Sequence, residues 1–172
     1  MSGKIACALD PGSALRNLPP FPIVLVTTRT NIITIGQIHY FSFAPLQIGI
    51  AVAYARHTHG LIEDEGEFAV NVPDEGLLEA VRICGRCSGR DTDKFAAAGL
   101  TREPCTAIAA TGIAECGARL ECRVAQRLEF ADRTWFIGPV VAASAAADHI
   151  GRQALQCDRL GYANAPQEIG TR

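Results

Sequence analysis

The stretch ARLECRVAQRLEFADRTWFIGPVVAASA, residues 118–145, decides how this chain folds. Leu120, Cys122 and Val124 alternate with Glu121 and Arg123, the period-two signature of a strand with one apolar face. One strand is read over Ala118–Phe130 and another over Thr134–Ala145, with Ala131, Asp132 and Arg133 turning the chain between them as a hairpin. Strands joined so directly run antiparallel, because a parallel pair needs a crossover of about a dozen residues or more.

Outward from this hairpin the same pattern recurs. Ile23–Thr28 is a β-branched run, and Asn31–Ile38 is a second, reached through a tight turn at Thr30-Asn31. Leu46–Tyr54 is so apolar that a central strand buried on both faces is expected. Glu67–Val72 alternates and stops at Pro73. Short helices are expected between these strands. One spans Thr58–Glu65, capped by Thr58 and kept short by the acids at its C-terminal end, where the macrodipole disfavours them. Asp74 caps a second, running to about Cys84 on Leu77, Leu78, Val81 and Ile83. A loop and a third short helix fill Ser88–Ala98 and end at Gly99. Strand and helix do not alternate, which argues against a doubly wound parallel sheet. The expected fold is mainly β: a closed or split β-barrel with inserted helices. A single domain is expected over residues 1–172, its core at about 20–145, with loop-like residues before it and a C-terminal tail at 146–172.

Composition narrows the function. The 172 residues are 48% hydrophobic and 20% charged, as an ordered globular protein requires. A net charge of −2, with no basic stripe interleaved with aromatics, gives no reason to expect nucleic acid or an anionic membrane. The longest apolar runs, Ile48–Tyr54 and Val140–Ala147, are of strand length and far short of the roughly 18 residues that cross a bilayer. The first residues lack the apolar core of a secretory signal, so a cytoplasmic location is expected. The seven cysteines then read as reduced thiols, several of them core-filling.

No G-x-G-x-x-G follows a strand, and there is no phosphate-binding Walker loop and no G-x-S-x-G elbow. Four segments remain as candidates. In Asn31–Gln37, Thr34 and Gly36 share one face, and a glycine inside a strand marks a bulge or a close approach by a flat ligand; an ordinary strand with a weak point is the plainer account. Ala53, Arg56, His57 and Thr58 lie where a buried strand enters a helix, a place whose free N–H groups and dipole suit an anion. A solvated turn and helix cap fit the same residues, and His57 with His59 lacks further ligands at metal spacing. Ser88, Gly89, Asp93 and Lys94 offer hydroxyls and a cation, or simply a capped helix start. Cys84-Gly-Arg-Cys87 invites a thiol-redox or zinc reading, with Arg86 placed to lower a thiol pKa, but neither a βαβ frame nor a second C-x-x-C accompanies it.

Together, VLVTT (24–28), NIITIG (31–36), SFAP (42–45), EFAVNVP (67–73), SGRDTDKF (88–95), LECR (120–123) and FIGPV (136–140) resemble the flavin reductase-like family, and most closely its flavoredoxin-like branch. The resemblance implies a split barrel that binds FMN, a homodimer, and an oxidoreductase passing electrons from NAD(P)H or a redox-protein donor through the flavin. A non-catalytic flavin electron carrier and a thiol-redox protein using Cys84 and Cys87 are the alternatives. It further implies that Asn31, Thr34, Gly36 and Gln37 line the isoalloxazine edge. Ala53, Arg56, His57 and Thr58 would then lie near the ribityl chain and phosphate, with Asn71, Ser88, Gly89, Asp93 and Lys94 nearby. The flavin carries the chemistry, so no protein nucleophile is expected, and Lys94 or the backbone at Thr34–Gly36 is expected to face the charge of the reduced ring. Gln37 stands where many flavoredoxin-like chains have tryptophan. Arg133 stands where flavin reductases often carry a histidine associated with nicotinamide binding.

Overall fold

A computed structural model describes residues 21–149, 156–158 and 161–162. The loop-like first twenty residues and most of the polar tail read from the sequence lie outside that range. In chain order the elements are β1 (Phe21–Pro22), β2 (Val24–Thr27), β3 (Ile32–Ile35), β4 (Ile38–Phe43), β5 (Leu46–Ala53), α1 (His57–Glu65) and β6 (Glu67–Val72). After a 3-10 turn at Glu75–Leu77 come α2 (Leu78–Arg86), α3 (Lys94–Ala98), β7 (Arg102–Pro104), β8 (Thr111–Ile113), β9 (Ala118–Arg123), β10 (Gln126–Glu129) and β11 (Arg133–Ala145). The last described strands, β12 (Gln156–Asp158) and β13 (Gly161–Tyr162), form a small sheet with β1.

The main sheet has eight strands in the order β3-β2-β6-β9-β11-β5-β4, with β10 added on β11. Its pairings are antiparallel. β11 is the hinge of the design. Its first half pairs with β5 and β10, its second half with β9, and the register shifts between Val140 and Ala142. One long strand thereby serves two halves of a curled sheet, which is a split β-barrel.

Period-two alternation sorts the side chains. Val24, Val26, Ile33, Ile35, Ile50, Val52, Phe68, Val70, Cys122 and Phe136 turn into the barrel, where Ile62 of α1 joins them. Their neighbours Ile23, Leu25 and Ile32 point the other way and are covered by Val81 and Cys84 of α2 and Phe95 of α3. Each large side chain fully buried here, such as Phe68, Phe95 or Phe136, contributes about 1.5–3 kcal/mol.

Several expectations need correction. The strand read over Asn31–Ile38 is two strands, because Gly36 and Gln37 break it and β4 starts at Ile38. The strand read over Ala118–Phe130 is also two. Val124 N–H bonds Gly66 O (2.8 Å) and Ala125 N–H bonds Ile137 O (2.8 Å), so the chain changes partners there. Arg56, not Thr58, is the N-cap of α1, and it caps without a side-chain bond. Asp74 caps the 3-10 turn through Gly76 N–H (2.9 Å) before α2 begins. The small β7–β8 ribbon was not foreseen.

Candidate functional site

Two hollows open beside each other where β3, β5, α1 and α2 meet. The smaller, about 160 Å³, gathers the N-terminus of α1, the C-terminal end of α2 and the loop into α3. Its wall carries Arg56, His57, Arg86, Arg90 and Lys94, and none of its described lining residues is acidic. In a chain whose net charge is −2, five basic side chains gathered at one spot make it suited to an anion. The N–H groups at the start of α1 add to it.

The polar wall is organised from within. Asn31 Nδ2 donates to Thr58 Oγ1 (2.9 Å), and the Asn31 backbone closes a turn with Thr28 (3.1 Å). Gly89 presses on that amide so closely that a Cβ would lie 2.0 Å from Asn31 Oδ1. Lys94 is 5% exposed, and its ammonium donates to Ile32 O (2.8 Å) and Cys84 O (2.9 Å). Those partners are neutral. Burial, with Arg56 adding to it, pulls the lysine pKa below its ordinary value. A bound anion would offset that strain.

The larger hollow, about 600 Å³, lies on the opposite face of β5 from the core. Ala51 and Ala53 sit directly across from Trp135 and Arg133 in the β5–β11 register, and the two small side chains leave the space. Trp135 and Phe21 supply aromatic walls, and Ile33–Ile38 forms a third side. Arg133 donates through Nη1 to Gln37 Oε1 and through Nε to Asp132 Oδ1 (2.9 Å). Ile33, Arg56 and Gly85 belong to both walls, so the two hollows adjoin.

The predicted residues therefore divide. Asn31, Arg56, His57, Thr58, Ser88, Gly89 and Lys94 come together on the cationic hollow. Thr34, Gly36, Gln37 and Ala53 line the apolar one, again with Arg56. Thr34 Oγ1 already donates to Val81 O (2.6 Å). Asn71 and Asp93 reach neither wall. Asn71 is fully buried and bonded to Leu25 O, Thr27 Oγ1 and Ile113 N–H. Asp93 caps α3 and pairs with Arg102 at 2.9 Å. His59 turns away from His57 and lies within 2.9 Å of Thr134 Oγ1.

Sequence reasoning missed Trp135, Phe21, Ala51, Arg86 and Arg90 as lining residues. Trp135 was within reach: it lies two residues beyond Arg133 on the same strand face. Of the C-x-x-C pair, Cys87 is exposed, while burial pushes the Cys84 thiol up to about 11. A thiol so high stays protonated at neutral pH and is a poor nucleophile.

Residues 16–165 match the family model described as flavin reductase like domain. An uncharacterised protein of Archaeoglobus fulgidus is 36% identical over 124 residues, covering 72% of this chain and 70% of that protein. The flavoredoxin of Desulfovibrio vulgaris (Miyazaki F) superposes with a TM-score of 0.72 at 27% identity, covering 77% of this chain and 74% of that one. The NADH:FAD oxidoreductase of Streptomyces globisporus does so with a TM-score of 0.83 at 22% identity, covering 96% of this chain and 100% of its own.

Proposed function

This chain belongs to the flavin reductase-like family, and from that premise we propose that it is an FMN-binding oxidoreductase with the ring in the apolar hollow and the phosphate in the cationic one. The single observation that carries the reading is the shared wall: Arg56 borders a hollow fit for a flat apolar group and one fit for its anionic tail. The fit is specific on both sides. The cationic lining holds no carboxylate among the described residues, and the alanines of β5 open a slot under Trp135.

When bound, the flavin supplies the two-electron redox step. The chain's own groups hold and orient it. Arg56 would hold the phosphate from the wall the two hollows share, since a guanidinium suits a phosphate. Asn31 donates to the Thr58 hydroxyl, and Gly89, with no Cβ, leaves room for that amide. Trp135 and Phe21 keep water off the ring. The donor in this reading is NAD(P)H or a reduced protein, and the setting is the cytoplasm, where free thiols such as Cys84 and Cys87 persist. No helix among the described residues is long and apolar enough to cross a membrane.

Titration of the purified chain with FMN and with riboflavin tests this. FMN binding with quenched flavin fluorescence is expected. Arg56→Ala should weaken FMN by about tenfold or more, in line with loss of a charged hydrogen bond, while leaving riboflavin nearly unchanged. Equal losses would remove the phosphate role, and a chain that takes no FMN would end the flavin reading. Anaerobic NADH or NADPH should bleach the bound flavin; bleaching by dithionite alone would make the protein an electron carrier.

A further inference from the structure

We propose that Arg133 sets the redox bias of the bound ring, favouring its reduced, anionic form. This rests on the flavin reading above. Reduction by two electrons with uptake of one proton leaves one extra negative charge on the ring, so a cation fixed beside it stabilises the reduced state over the oxidised one.

The expected cation, Lys94, is badly placed for that role. Its ammonium lines the cationic hollow and is tied to Ile32 O and Cys84 O. Arg56 borders both hollows, so in the reading above its charge is shared with the phosphate. Arg133 lines the ring hollow alone, across the register from Ala53. Its guanidinium is aimed on two sides. Asp132 takes Nε and Nη2, and Gln37 Oε1 takes Nη1, so the side chain bridges from the β11 hairpin to the end of β3. Asp132 offsets part of that charge, but it is 63% exposed and is not on the described wall, so the guanidinium is the charge nearer the hollow. The Gln37 amide, oriented through its oxygen, keeps its NH₂ group for the ring.

The test is the midpoint potential of FMN-loaded wild type, R133Q, R133K and D132N, by anaerobic dithionite titration against indicator dyes, beside the affinity for oxidised FMN. R133Q should lose about tenfold in its preference for reduced over oxidised flavin, a fall of about 30 mV for a two-electron couple. Reduced FMN should lose about tenfold more affinity for it than oxidised FMN does. R133K should keep most of the wild-type potential, and D132N should not lower it. A potential unmoved in R133Q overturns the proposal, as does an equal fall in R133K, which would mark a purely structural role. R133M replaces R133Q should the latter fail to accumulate. A wild-type chain that takes no FMN defeats the flavin reading itself; a loaded wild type indifferent to position 133 defeats only this inference.

Discussion

At Gly36 a Cβ would stand 2.9 Å from the ring of Phe21 and 3.3 Å from Ile23 Cδ1. The flat group that lies on this glycine is an aromatic ring of the chain itself, so a close approach was legible at residue 36 and its partner was not. Gly89 is the opposite case, since its neighbour Asn31 belongs to the proposed phosphate wall. Gly89→Ala should displace Asn31 from Thr58 and lower FMN affinity severalfold, with riboflavin affected less; an unchanged FMN Kd would argue against that wall. Two other glycines give opposite stability outcomes. A Cβ on Gly138 would lie 1.7 Å from the backbone oxygen of Arg123, which cannot swing aside. Gly138→Ala should cost about 1–3 kcal/mol or more in urea unfolding. Gly60, inside α1, has nothing within 4 Å of its missing Cβ, and Gly60→Ala should stabilise by about 0.5–1 kcal/mol.

Among the elements, the segment 101–109 is held by carboxylates reaching its backbone. Glu115 accepts from Thr101 N–H (3.0 Å), Glu121 from Thr106 (2.9 Å) and Ala107 (2.7 Å), and Glu67 from Ala109 (2.7 Å). Strand alternation placed Glu121 opposite the core, yet it is 2% exposed because this loop covers it. Burial by itself would raise its pKa, but the Thr106 and Ala107 N–H groups outweigh it and hold the carboxyl below its ordinary value. A group depressed in the folded state stabilises above its unfolded pKa, so this contribution is complete at neutral pH. It is lost as pH falls below about 4.5 and through the lower folded value. Glu121→Gln should cost about 1.5–3 kcal/mol at pH 7 and flatten the acid limb of a thermal-unfolding series. A wild-type acid limb retained in the variant would show the carboxylate does not latch the loop.

For the whole molecule, the sheet ends in β4, an edge strand exposed along most of its length. Tyr40, Phe41 and Phe43 are 55%, 47% and 75% exposed, and Phe41 packs edge-on against Trp135 of the ring hollow at 5.6 Å. Edges of this kind pair with other chains unless something covers them. The homodimer stands as our proposal, with this edge as its contact. Sedimentation at micromolar concentration should give twice the chain mass, and a Tyr40→Lys, Phe43→Lys double variant should give the single mass. A wild-type monomer at tens of micromolar would exclude the pairing.

Much of the architecture was readable because it is local. Alternation over 118–124, the β-branched run at 23–28, the apolar run at 46–54, the capped helix start within 88–95 and the stop at Gly99 act within a few residues, so the chain's own order reveals strands, helices and their mainly β sum. Motif order carried the family. What waited for tertiary structure was everything made by distant partners. The Val124 break depends on Gly66 and Ile137, the wall of the ring slot on Trp135 facing Ala51 on the adjacent strand, and the cationic hollow on arginines from the N-cap of α1, from α2 and from the loop beyond it. Asn71 and Asp93, polar and promising in the sequence, are spent on backbone and capping bonds. Sequence states which groups a residue carries; only packing decides which of them are already satisfied and which are left for a ligand.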